Sequence, residues 1–264
     1  MLLTLAVSRT DLFVSPDGEP VPDVFDYPSM IIREFELRGL NISASLLSGW
    51  NLDDLDRLRD RADKAGCPCL VLVEDGPLRF ADRSAAKRAE ARDRVKRLVV
   101  AANRLGCNAL GIKCEGSASE ADFETTAGEL KEVMRAMDRM EVNLLIAPHG
   151  KMTEQPDRLT DLIKRVGGFR IGSLPSFAHA AASGDLVQTL RKLAPYAGAI
   201  HATIDDFDPK GGHPGYDLKE CVQTIRSVGF VNTLAIDFQG RKNPVEAIEA
   251  ARAVLQEAID EDQV

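Results

Sequence analysis

His201, Thr203 and Asp205 alternate with Ile200, Ala202 and Ile204, so an extended backbone puts the polar set on one face and the apolar set on the other. The arrangement recurs elsewhere. Asp237 and Gln239 interleave with Leu234, Ile236 and Phe238, and Lys113 and Glu115 interleave with Leu110, Ile112 and Cys114. Ala147 and His149 fall on the face opposite Val142, Leu144 and Ile146. Carboxylates, imidazoles and an ammonium gathered in one concave place bind polar ligands and move protons. His179, in Pro175-Ser176-Phe177-Ala178-His179, is a further candidate near a strand end. His213 sits in Lys210-Gly211-Gly212-His213-Pro214-Gly215, expected to be a mobile loop able to act as a lid.

These runs belong to a longer series. Short β-rich apolar segments recur at residues 2–7, 40–46, 69–73, 109–114, 142–147, 169–174, 199–204 and 233–238. Between them, apolar residues follow helical spacing: Leu55, Leu58 and Ala62, then Val95, Leu98, Val99 and Ala102, with four further stripes of the same kind. Asn51 with Asp54 three residues on, and Asn243-Pro244 ahead of Glu246, predict helix N-termini. Gly66, Gly106, Gly167-Gly168 and Gly229 stand where helices stop.

Eight strands alternating with helices over 264 residues predict an α/β fold, a (β/α)8 or TIM barrel, which typically needs about 250 residues. An open doubly wound sheet is the alternative, but no Gly-x-Gly-x-x-Gly follows an early strand. No linker or repeat interrupts the series, so residues 1–264 are expected to form a single domain with a frayed acidic tail at 259–264. In a barrel, alternate strand residues point inward and sites form at the C-terminal strand ends. The polar faces above then converge on one rim.

Composition excludes several classes. With 44% hydrophobic and 28% charged residues the chain is globular rather than disordered. Its 33 Lys+Arg against 41 Asp+Glu leave a net charge of −8, which argues against a nucleic-acid or anionic-membrane partner. No apolar run approaches the ~20 residues of a membrane span. Met1-Leu2-Leu3-Thr4-Leu5-Ala6-Val7 lacks a basic leader and is followed at once by Arg9 and Asp11, which predicts a buried strand and not a signal peptide. Five cysteines, an odd number, predict reduced thiols and a cytoplasmic protein. Cys67-Pro68-Cys69 has no second pair to complete a zinc site. The basic run from Arg79 to Arg97 is interleaved with Asp82, Glu90 and Asp93, which predicts a solvated helix face laced with i,i+4 ion pairs. A homodimer is the default expectation for a soluble barrel.

Over nearly the whole chain, and most firmly from residue 105 to residue 240, the sequence resembles the xylose-isomerase-like TIM-barrel superfamily, which includes sugar-phosphate isomerases and epimerases and apurinic endonucleases. The resemblance is carried by Leu144-Leu145-Ile146-Ala147-Pro148-His149-Gly150, Ile171-Gly172-Ser173-Leu174-Pro175-Ser176-Phe177, His201-Ala202-Thr203 and Ala235-Ile236-Asp237-Phe238-Gln239-Gly240, in that order. It implies a divalent metal (Mn²⁺, Mg²⁺ or Zn²⁺) held by Glu on strand five, Asp after strand six, His on strand seven and Glu on strand eight. Those places fall here on Ala147, Ser176, His201 and Asp237. Two retained ligands, His201 and Asp237, leave most positions of such an ion to water, so its affinity should be weak.

The resemblance implies a sugar, sugar-phosphate or polyol isomerase or epimerase that works by proton transfer. Asp237 would then be the base or a metal ligand and His201 the acid or second ligand. Lys113 would be the electrophile for the oxyanion, with Glu115 supplying further charge. His149, Ser176, His179, Asp205 and Gln239 would contact the substrate. The alternative is a non-catalytic carbohydrate-binding or subunit homologue that has lost the metal and the acid/base pair, which Ala147 and Ser176 favour. A nuclease is the least supported branch, because that chemistry wants several metals and this chain has four histidines.

Overall fold

The computed structural model describes residues 1–13, 22–209 and 211–261. Lys210 and residues 262–264, parts of the expected lid and acidic tail, lie outside the described residues. Eight parallel strands form the sheet: β1 (Leu2–Val7), β2 (Leu40–Ser43), β3 (Cys69–Leu78), β4 (Ala109–Cys114), β5 (Asn143–Ala147), β6 (Ile171–Ser173), β7 (Ala199–Ile204) and β8 (Thr233–Phe238). They pair in the order β6-β5-β4-β3-β2-β1-β8-β7. The two edges meet through parallel bridges Ser173–Ala197 and Ser176–His201, with the His201 N–H donating to the Pro175 carbonyl at 3.0 Å. Bent round to meet itself in this way, the sheet has the form of an α/β TIM barrel.

The helices are α1 (Tyr27–Phe35), α2 (Leu52–Ala65), α3 (Ala85–Leu105), α4 (Glu120–Met137), α5 (Gly150–Thr153), α6 (Pro156–Val166), α7 (Phe177–Ala182), α8 (Leu186–Leu193), α9 (Leu218–Ser227) and α10 (Pro244–Asp260). The predicted caps form. Asn51 and Asp54 exchange side-chain and backbone bonds at 3.0 and 3.1 Å, and Asn243 accepts from Val245 N–H ahead of α10. Gly66 and Gly106 end α2 and α3 in the left-handed region, at φ 70° and 79°.

Burial sorts the strand residues into two layers. Ile112, Leu144, Ile146, Ile200, Ala202, Ile204, Leu234, Ile236 and Phe238 join the large core cluster that includes the helices. Val71, Ala109, Leu145, Leu174 and Ala199 form a separate small cluster inside the barrel. Leu174 reaches across because Gly111 has no side chain; a Cβ there would lie 2.6 Å from Leu174 Cδ2. Gly172 lets a backbone approach, since its Cβ would lie 2.5 Å from the Tyr196 carbonyl oxygen.

Several elements differ from the sequence expectation. The strand expected at 40–46 ends at Ser43, whose hydroxyl accepts from Ser45 N–H and starts a 3-10 turn, Ala44–Leu47. The one expected at 69–73 continues to Leu78 after a register break between Val73 and Pro77. The one expected at 169–174 shrinks to Ile171–Ser173, because Gly167 and Gly168 turn at positive φ and leave Phe169 87% exposed. The tail expected to fray from residue 259 is helical as far as Asp260, since Ile259 is buried against the core. Helices α1, α7 and α8 are absent from the sequence expectation, although Tyr27, Ile31 and Phe35 of α1 and Leu186, Leu190 and Leu193 of α8 recur at helical spacing.

The basic run also behaves differently. Arg88 and Arg92 both reach Glu129 on α4, and Arg94 binds Glu74 on β3. Long guanidinium stems span neighbouring elements here instead of forming i,i+4 pairs along α3. All five cysteines are free and buried. Burial pushes the Cys67 and Cys69 thiols up to about 12. No helix among the described residues is long and apolar enough to cross a membrane.

Candidate active site

At the C-terminal ends of the strands lies a cavity of about 210 Å³, lined from β2 by Asn41 and Ser43, from β3 by Asp75 and from β4 by Lys113. Ala147, Ser176, His179, His201, Asp237 and Gln239 also line it. It is small beside the roughly 300–1,000 Å³ of drug-sized sites, which suits one small polar molecule. Of the residues singled out in the sequence, Lys113, Ser176, His179, His201, Asp237 and Gln239 are thus brought together.

Asp237 and His201 are both largely buried, at 15% and 14% exposed. Asp237 Oδ1 accepts from Gln239 Nε2 at 2.7 Å, while Oδ2 lies 3.8 Å from His201 Nδ1. The other ring nitrogen, His201 Nε2, is 3.4 Å from Asn41 Nδ2. Burial pushes the His201 imidazole below its ordinary value; the Asp237 carboxylate opposes this and the Lys113 charge adds to it. Register explains the meeting. Ala6 of β1 is the Cα partner of both Asn41 and Asp237, so the two face the barrel interior one strand either side of it. His179 lies one turn into α7, held by its Nε2 at 2.9 Å from the Glu154 carbonyl. Burial lowers its pKa, against the pull of Glu154.

Glu115, His149 and Asp205 do not line this cavity. Glu115 and His149 face each other at 3.4 Å, 51% and 34% exposed, so each takes the other as partner. Asp205 is exposed, and its N–H donates to His213 Nε2 at 3.0 Å. Thr203 is buried without reaching the cavity, and its carbonyl accepts from the Tyr216 hydroxyl. His213 packs on Tyr216 and Phe207, and Gly212 N–H binds the Asp208 carboxylate at 2.9 Å.

Asn41, Ser43 and Asp75 are absent from the sequence expectation. The first two alternate with Leu40 and Ile42, so the same period-2 sorting finds them. Asp75 lies in the register break of β3, where the alternation fails. Both its carboxylate oxygens are 2.5 Å from Ser43 Oγ, and Oδ2 accepts from Ser45 N–H at 3.0 Å. Its backbone carbonyl is 3.5 Å from Lys113 Nζ.

The residues present do not fit a divalent metal. Only His201 and Asp237 offer ligating groups at the places the family uses, since Ala147 has none and the Ser176 hydroxyl already accepts from His179 N–H at 3.2 Å. Among the described residues no group of three or more His, Cys, Asp or Glu is arranged to hold an ion.

Comparison with solved structures returns the same fold. A 3-keto-D-glucoside 4-epimerase from E. coli, in its apo form, superposes with TM-score 0.75 at 15% identity, covering 97% of this chain and 99% of that one. An L-ribulose 3-epimerase gives 0.80 at 13% identity, covering 99% and 97%. The IOLI protein with a binding zinc atom gives 0.72 at 14% identity, covering 99% and 97%. No curated protein matches the sequence. The profile described as xylose isomerase-like TIM barrel matches residues 33–258. The strand order, the closed sheet and this match together place the chain in the xylose isomerase-like TIM barrel family.

Proposed function

We propose that the cavity binds a small polyhydroxylated carbonyl compound, a sugar, sugar phosphate or polyol-like ketose, and moves a proton on it as an isomerase or epimerase. The observation that carries this reading is the single cavity shared by Lys113, His201 and Asp237, with Asp237 anchored by Gln239. The Asp237 carboxylate takes the proton from the carbon beside the carbonyl. The C–H electron pair moves into a new C=C bond and the carbonyl π pair onto oxygen, giving an enediolate. Lys113 holds the oxyanion, and His201, kept neutral by burial, orients the base. Return of the proton from Asp237 to the former carbonyl carbon, with the neighbouring hydroxyl proton passing to the oxyanion as the new C=O forms, isomerises the sugar; protonation of the original carbon from its other face by a second proton donor, with Asp237 giving its proton to solvent, epimerises it. The names of the solved relatives, two of them sugar epimerases, support the substrate class.

A second reading keeps the pocket without the chemistry. Ala147 and Ser176, at two places where the family carries carboxylates, favour it. Incubation with a panel of ketoses and ketose phosphates in D2O separates the two. Solvent deuterium entering the carbon beside the carbonyl, and lost in Asp237→Asn, supports proton transfer. Saturable binding with no exchange above blank supports the binding homologue and sinks the enzyme.

A further inference from the structure

We propose that this cavity is built to work without a divalent ion: protein N–H groups engage His201, Asp237 and Ser176, three of the four places metal ligation would use, and Lys113 supplies the positive charge. The inference deepens the proton-transfer reading and rests on it only for the role given to Lys113.

Three caps carry it. Asn41 Nδ2 faces His201 Nε2 at 3.4 Å. Gln239 Nε2 donates to Asp237 Oδ1 at 2.7 Å. His179 N–H donates to Ser176 Oγ at 3.2 Å. The fourth place is Ala147, which offers a metal nothing, while Lys113 lines the same wall one strand away. An ammonium is a fixed positive charge that needs no ligand set.

The orientation of the Asn41 amide is decided by its neighbours. With Nδ2–H donating to His201 Nε2, the ring proton sits on Nδ1 and faces the Asp237 carboxylate. The flipped amide would put the proton on Nε2 and leave the Nδ1 lone pair against Asp237 Oδ2, which is repulsive. Asn41 is 1% exposed and its Oδ1 has no partner. An ion at His201 Nε2 would have to displace the amide within a buried space and leave its N–H groups unpaired as well. Asn41 and Gln239 are therefore positioning residues: they hold imidazole and carboxylate where a metal would otherwise hold them.

Two measurements on the full chain test this. In equilibrium dialysis against about 1 mM Mn²⁺, Zn²⁺ or Mg²⁺, the weak end of biological cation sites, no saturable uptake is expected. Uptake of one ion per chain that His201→Ala abolishes overturns the proposal. The nitrogen NMR spectrum of the His201 ring, assigned by its loss in His201→Gln, should show the proton on Nδ1. Asn41→Ala should mix the two tautomers and Asn41→Gln should restore the first. A wild-type ring protonated on Nε2 overturns the proposal even where Asn41→Ala fails to fold. Neither measurement involves a sugar. A chain that exchanges no ketose proton, yet binds no ion and keeps the Nδ1 proton, removes the proton-transfer reading and leaves the capped, metal-free site.

Discussion

Asp237 offers one carboxylate oxygen to Gln239 Nε2 at 2.7 Å and turns the other toward His201 Nδ1 at 3.8 Å. The first contact fixes the carboxylate's rotation, and the second sets which lone pair faces the imidazole. A base held this way loses no orientational freedom when it meets a C–H bond. Asp237→Asn keeps the shape and the amide partner but removes the base. Deuterium exchange into a responsive ketose should fall by roughly 10²–10⁴-fold, with the circular dichroism spectrum unchanged. Exchange within a few-fold of wild type would remove Asp237 from the chemistry.

Lys113 is the cation on the cavity wall opposite in sign to Asp75 and Asp237. Lys113→Gln should lower the exchange rate by about 10²–10³-fold, the worth of one donor to a developing oxyanion. Steady-state analysis should place the loss in kcat more than in KM, because the charge it meets develops only in the transition state.

Asp75 is held by Ser43 Oγ and Ser45 N–H and so presents a rigid acceptor to whatever enters the cavity. Asp75→Ala should weaken binding of a responsive ketose by roughly tenfold or more, as expected for one lost hydrogen bond to a charged group. Isothermal titration against the same ketose measures it. An unchanged Kd would make Asp75 a partner of Ser43 and Ser45 alone.

Burial lowers the pKa of His201, His179 and His213 below the ordinary 6.5. In the interval between each lowered value and 6.5 the unfolded chain binds more protons than the native one. Stability therefore rises with pH through that interval and gains nothing more from these groups above it. Melting temperature should climb as pH rises toward about 6.5 and then level off as far as the histidines are concerned. His179→Gln should flatten the slope; an equal slope in the variant would assign the acid sensitivity elsewhere.

A Cβ on Gly172 would stand 2.5 Å from the Tyr196 carbonyl oxygen, and backbone cannot yield as a side-chain tip can. Gly172→Ala should cost about 1–3 kcal/mol, read from denaturant midpoints at constant m-value. Gly128→Ala, where a Cβ would meet nothing within 4 Å, is the control.

Much of the site was legible because period-2 alternation is a local property of the chain. It placed Lys113, His201 and Asp237 on the inner face, and each lies within a strand and on the cavity wall. The same rule would have yielded Asn41 and Ser43. It stops where pairing stops. Glu115, His149, Asp205 and Gln239 all lie beyond the last residue of their strands, and there side-chain partners decide. Gln239 stays inside because its amide finds Asp237, while Glu115 and His149 find each other at the rim. Asp75 enters only through a break in register that no alternation announces.

The order of apolar runs, their period and the residues capping α2 and α10 determined an α/β barrel with polar groups on its inner rim, since each depends on neighbours a few positions apart. The tertiary structure decided which rim residues share the cavity, and that an asparagine amide stands at His201 where the resemblance implied an ion. Those facts depend on contacts across 160 residues of chain, between Asn41 and His201, and only closure of the sheet brings them into being.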